Sequence, residues 1–152
     1  MHFQLYFLYL CTSKTSSQFM TSLEIQTKYY NEAIRYMDNA KEVLRKVGKE
    51  DKFYTDDKYV KMACGTAYSG VLVALDGYLL LHGVSKPKKG RKSIQYYEES
   101  LGKIDRSLLR YLNSTYEILH LSGYYDGLAH APTILGGFGL AYEIIEKIKP
   151  IA

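Results

Sequence analysis

The sequence predicts an all-α protein, an up-down-up-down four-helix bundle, and three observations carry that reading. Apolar residues recur at steps of three and four along four long segments. Glycine, proline and short polar stretches separate those segments, and no stretch shows the strict two-residue alternation of a half-buried strand. A chain of 152 residues with 47% hydrophobic and 24% charged residues has the size and composition of one folded domain, which excludes disordered and collagen-like classes.

The first helix runs from Ser22 to Val47 on the stripe Ile25, Tyr29, Ala33, Tyr36, Met37, Ala40, Leu44 and Val47, with charges on its other side. Gly48 follows as a left-handed C-terminal cap, and the polar link after it leads to Asp56 and Asp57 as N-cap candidates. The second helix reaches His82 and is closed by Gly83. Its polar face is narrow, so it should be the most buried element. Along it Ala63, Ala67, Gly70, Ala74 and Gly77 form a stripe of small residues against which a neighbouring helix can pack closely. Pro87 and Gly90 make VSKPKKGRK a loop, and Ser93 caps a third helix with a heptad-like stripe from Ile94 through Ile104, Leu108 and Leu112 to Leu119, ended by Gly123. Pro132 falls in the first turn of the last helix, or kinks it, and that helix carries Ile134, Phe138, Ala141, Tyr142, Ile145 and Ile148 until Pro150 stops it. Residues 20–152 form the single four-helix-bundle domain. Residues 1–19 are read as a disordered tail or a mis-called start, with Met20 the alternative first residue.

The net charge of +4 is local. Lys86, Lys88, Lys89, Arg91 and Lys92 fall within seven residues, and the rest of the chain holds fifteen cationic against sixteen acidic residues, a net of −1. Short antiparallel connections then give the bundle two unlike poles. One gathers the basic loop, Lys28, Lys147 and Lys149. The other gathers Glu50, Asp51, Asp56, Asp57 and Asp126 with Tyr54, His120, Tyr124, Tyr125 and His130.

Two constellations are chemically suggestive. Lys86, Lys88, Lys89, Arg91 and Lys92, followed by Tyr96, make a nucleic-acid-binding candidate, because clustered cations gain counterion release on phosphates and a free aromatic ring can stack on a base. A solvated loop explains the same run. His120, Tyr124, Tyr125, Asp126 and His130 form a possible polar cluster able to shift protons or hold a metal. No HxxxH or HExxH spacing supports a metal there, and an exposed pair of histidines explains the residues equally. No catalytic residue and no cofactor is assigned. Asp76, a lone carboxylate in the apolar second helix, needs a partner, and tyrosine hydroxyls, Arg106 and Arg110 are available. Close helix packing explains Gly136, Gly137 and Gly139 in ILGGFGLA, since neither GxxxxGK[ST] nor GxGxxG is present. Two cysteines, Cys11 and Cys64, without metal-site spacing fit a reducing cytoplasm, and the apolar start MHFQLYFLYLC lacks the basic leader of an export signal.

The second helix, YVKMACGTAYSGVLVALDGYLLLHG, resembles the second helix of HEPN-type bundles, and LAYEIIEKI is similar to their last. The resemblance covers residues 22–149 in helix order. It implies a four-helix up-down bundle, often dimeric, that in bacteria accompanies a small nucleotidyltransferase or acts on RNA. Catalytic members carry an arginine four to six residues before a histidine. Here Arg110 precedes His120 by ten positions and Arg106 by fourteen, so the ribonuclease activity is not carried over. The expected function is therefore a non-catalytic, cytoplasmic interaction module that forms a homodimer or docks a partner protein, with no membrane role. The alternative is an RNA-binding degenerate nuclease using residues 86–92.

Overall fold

Helix capping, glycine contacts and one internal break account for the path of the chain. The computed structural model describes residues 19–87 and 89–151; the tail reading, Phe19 and Met20 apart, and Lys88 of the basic loop lie outside them. The elements are α1 (Ser22–Arg45), β1 (Lys49–Glu50), β2 (Phe53–Tyr54), α2 (Asp57–Leu81), α3 (Ile94–Ile104), α4 (Arg106–Thr115), a π-helix (Tyr116–Tyr125) and α5 (Ala131–Glu146). The fold is mostly helical, with one very small antiparallel sheet that the sequence reading had as a polar link.

Thr21 opens α1 with a capping box: its hydroxyl accepts from the Glu24 amide at 3.1 Å, while the Glu24 carboxylate accepts from the Thr21 amide at 2.8 Å. Asp56 caps α2 by accepting from the Lys58 amide, and Ser93 caps α3 through the Tyr96 amide. Gly83, with φ 71°, ends α2 in a Schellman arrangement in which the Gly83 amide donates to the Leu80 carbonyl and the Val84 amide to Leu79. Gly48 plays no such part. Helix α1 already ends at Arg45, and Gly48 is not among the residues in the left-handed region.

The small-residue stripe of α2 receives α1. Ala63, Ala67, Gly70, Ala74 and Gly77 are all buried. A Cβ at Gly77 would lie 2.6 Å from the Tyr29 Cβ, and one at Gly70 would lie 2.9 Å from the Tyr36 Cβ. These pairings run the two helices antiparallel. Tyr97 meets Asp76, Tyr68 meets Tyr116 and His120, and Gly123 meets Cys64, so the chain from 94 to 125 runs back along α2. Helix α5 then descends with Gly137 against Ile118 and Leu119, and reaches α1 through Tyr30 and Glu146. Gly137 therefore fits the packing explanation, whereas Gly136 and Gly139 face open space.

The third helix is not continuous. Asp105 adopts φ −154°, ends α3 and caps α4, its Oδ1 accepting from the Leu108 amide at 2.8 Å and its Oδ2 from the Tyr78 hydroxyl at 2.9 Å. The hydrogen bond donated by the Leu108 amide is the first cause of its lowered carboxyl pKa. Because of this break Ile104, expected in the core, is exposed, while Leu101, Leu108, Leu112 and Leu119 stay fully buried. Gly123 does not end the helix either. It is buried inside the π-helical stretch, where a Cβ would lie 2.4 Å from the Cys64 sulfur. Helix α2 contributes more buried residues than any other element among the described residues, although Met62 and Leu80 on it are exposed. Helix α2 is also, among the described residues, long and apolar enough by length and composition to cross a membrane, and more than half of that stretch is buried against the other helices.

The hairpin turns at Asp51, whose φ of 54° is the left-handed conformation that short polar side chains tolerate. It fastens the start of α5: the Ala131 amide donates to the Lys52 carbonyl and the Tyr54 amide to the Ala129 carbonyl, each at 2.8 Å. One donor that α5 cannot satisfy internally is thereby paired.

The Tyr29 Cβ is fixed to its own backbone and cannot swing aside. Gly77→Ala should therefore lower stability by about 1–3 kcal/mol through overpacking, although alanine is intrinsically the better helix former by about 1 kcal/mol. A shift of the urea midpoint to lower concentration checks this, and an upward shift would contradict the close approach.

Candidate functional site

The two poles are assembled from different elements. At the basic pole the α2 carboxylate of Asp76 accepts from the Tyr97 hydroxyl of α3 at 2.8 Å and pairs with the Lys92 ammonium at 2.6 Å. Tyrosine was expected as a partner, while Arg106 and Arg110 are not the cations used. Lys92 was counted among the nucleic-acid-binding cations, and it is instead half-buried as a strut that holds the end of the loop on α2. Tyr97 is held neutral well above the ordinary phenol range, first by burial and then by its bond to Asp76. Tyr96, expected to be free for stacking, is half-buried edge-on to Tyr97, and its hydroxyl donates to the Ser85 carbonyl at 3.2 Å. Lys86, Lys89 and Arg91 remain exposed.

At the opposite pole the five residues of the expected cluster separate. His130 packs its ring on Phe53 and shares a 2.7 Å hydrogen bond with the Thr133 hydroxyl. Asp126 makes no side-chain hydrogen bond or ion pair among the described residues. His120, Tyr124 and Tyr125 do come together. The His120 ring stacks on Tyr116 at 5.1 Å and on Tyr124 at 5.8 Å, stands edge-on to Tyr125 at 5.1 Å, and lies 4.6 Å from Tyr68 of α2. Among the described residues no three of His, Cys, Asp and Glu form a group that could hold a metal, and His120, Asp126 and His130 are not brought together as one.

Tyr68 and Tyr116 are the members of this aromatic assembly that the sequence reading missed. The signal available was the four-residue step Tyr116, His120, Tyr124. Burial among these rings lowers the His120 pKa, because it disfavours the imidazolium. Beside the ladder runs an open groove of about 470 Å³, floored by Gly65, Thr66 and Ser69 of α2 and walled by Tyr36 on one side and His120 and Tyr124 on the other. The floor hydroxyls are already engaged, Thr66 donating to the Met62 carbonyl and Ser69 to Gly65. The groove thus offers shape and apolar surface, with little hydrogen bonding.

The fold and this face define a small, mostly helical protein with an aromatic surface groove. The profile of a family described as a domain of unknown function, DUF5618, matches residues 28–150, and the chain belongs to that family. A solved structure described as a protein of unknown function from Dyadobacter fermentans is similar at 47% identity and a TM-score of 0.73, the match covering 80% of this chain and 94% of the other. No curated protein matches the chain.

Two outcomes test the site geometry. Asp76→Ala should cost about 1–3 kcal/mol in chemical denaturation, since it strands the buried Tyr97 hydroxyl and the Lys92 ammonium. His120 keeps its proton less tightly folded than unfolded, so its contribution to stability is present above its ordinary pKa of 6.5 and is lost as pH falls from there through the lower folded value. Melting curves at pH 7.5 and 5.0 should show a loss on acidification that is smaller in His120→Phe, which keeps an aromatic ring in the ladder.

Proposed function

We propose that the protein is a non-catalytic interaction module, an up-down-up-down four-helix bundle of the HEPN type that self-associates through its aromatic face. The observation that carries this reading is the exposure of a contiguous Tyr-rich surface: Tyr125 is 62% accessible, Met62 49% and Tyr124 44%, all beside the groove. Tyrosine and methionine are enriched at the centres of interfaces, where large side chains bury apolar area while hydroxyls keep a polar contact. A ridge, Tyr124 and Tyr125, lies next to a hollow on the same face. A two-fold axis through that face would bring the ridge of each copy to the hollow of the other, which is the self-complementarity a symmetric dimer needs. The antiparallel pairing of consecutive helices supports the bundle topology, and the absence of an Arg–His pair at the HEPN catalytic spacing supports a role without chemistry.

Sedimentation equilibrium should find a dimer, and Met62→Asp combined with Tyr125→Asp should give a monomer with unchanged helical circular dichroism. A wild-type chain that stays monomeric at high concentration overturns the proposal.

The second reading, RNA binding by the loop, now rests on Lys86, Lys89 and Arg91, exposed cations with no ion pair among the described residues. It requires binding to single-stranded RNA at low salt that is lost on alanine replacement of those three and weakens steeply as salt rises. Absence of binding at low salt excludes it.

A further inference from the structure

A second concavity, of about 580 Å³, opens between the C-terminal half of α1, the hairpin and α5. Its volume is in the range of small-molecule sites. Leu44, Val47, Leu135 and Phe138 supply apolar walls, and Gly139 leaves one side open, since a Cβ there would meet nothing within 4 Å.

Every charged residue that lines it is cationic: Lys41, Arg45 and Lys49. Arg45 is paired with Glu42, which lies outside the lining. Lys41 and Lys49 have no carboxylate partner among the described residues; their ammonium groups lie instead over aromatic rings, Lys41 4.6 Å from the Tyr142 centroid and Lys49 5.2 Å from that of Tyr54. Tyr142 also lines the hollow, and its hydroxyl is buried without a hydrogen-bond partner. Cations that face an apolar hollow without counter-charge are complementary to an anion.

The rest of the lining narrows the ligand. No Asn, Gln, Ser, Thr, His, Asp or Glu lines the hollow, so beyond its three cations and two tyrosines it offers no side chain to replace the water lost by the many polar groups of a sugar, a nucleobase or a peptide backbone. A fitting molecule confines its polarity to one acidic end. We propose that this pocket binds an amphipathic organic anion, a carboxylic acid with an apolar body, whose carboxylate meets Lys41 and Lys49 and whose body lies along Phe138 and Leu44. The site shares no lining residue with the aromatic groove, and it stands or falls independently of self-association.

Titration calorimetry of the full chain with octanoate and octan-1-ol tests it. Octanoate should bind at a single site, and octan-1-ol, with the same body and no charge, about tenfold more weakly or less. Lys41→Met combined with Lys49→Met should bring octanoate down to the level of the alcohol. Gly139→Leu should fill the hollow and abolish binding while leaving thermal stability unchanged or raised, because its side chain enters open space and leucine is the better helix former. No octanoate binding, equal binding of the alcohol, or binding that survives Gly139→Leu would each overturn the assignment.

Discussion

The closeness of α1 to α2 is the constraint on which the rest of the structure depends. Two glycines and three alanines on one face of α2 let the backbones approach until Tyr29 and Tyr36 rest by their Cβ atoms on bare backbone. With α1 set so tightly on one side, α2 has its remaining faces for the π-helix and α5. The tyrosines of α1 are displaced sideways by the same approach, which is why Tyr36 ends up as a groove wall rather than in the core.

Much of the fold was legible because it is written in local chemistry. The caps at Asp56 and Ser93, the Gly83 stop, the placement of Pro132 in the first turn of α5 and the packing stripe of α2 are each set by residues within a turn of where they act. The break at Asp105 was hidden because the apolar periodicity of Leu101, Leu108 and Leu112 continues across it. What interrupts the helix is a carboxylate that caps α4 and accepts from Tyr78, and Tyr78 lies 27 residues away. The hairpin was hidden for the same kind of reason. Its two-residue strands are too short to alternate, and two of its backbone hydrogen bonds are made with residues 129–131.

The candidate sites were legible as compositions and illegible as geometries. Asp76 was conspicuous as a lone carboxylate in an apolar helix, yet its partner Lys92 looked, in sequence, like one more member of a cationic run. Pairing the two turns part of the apparent polyanion site into a structural fastening. The histidines show the reverse. His120 and His130 lie near one another in sequence, but one is inside the π-helix among tyrosines and the other is the N-cap residue of α5. Which ring meets which depends on the coil of the π-helix, and nothing in the periodicity announced that coil.

The contact between Gly123 and Cys64 gives the molecule a built-in reporter of its own opening. Burial raises the Cys64 thiol pKa to about 12, so in the closed protein it is neither exposed nor ionised and is inert toward alkylating reagents. The atoms that shield it belong in part to the π-helix. The rate at which this one sulfur becomes reactive therefore measures how often the seam between α2 and the π-helix parts, and the aromatic ladder of His120 is anchored on that same seam.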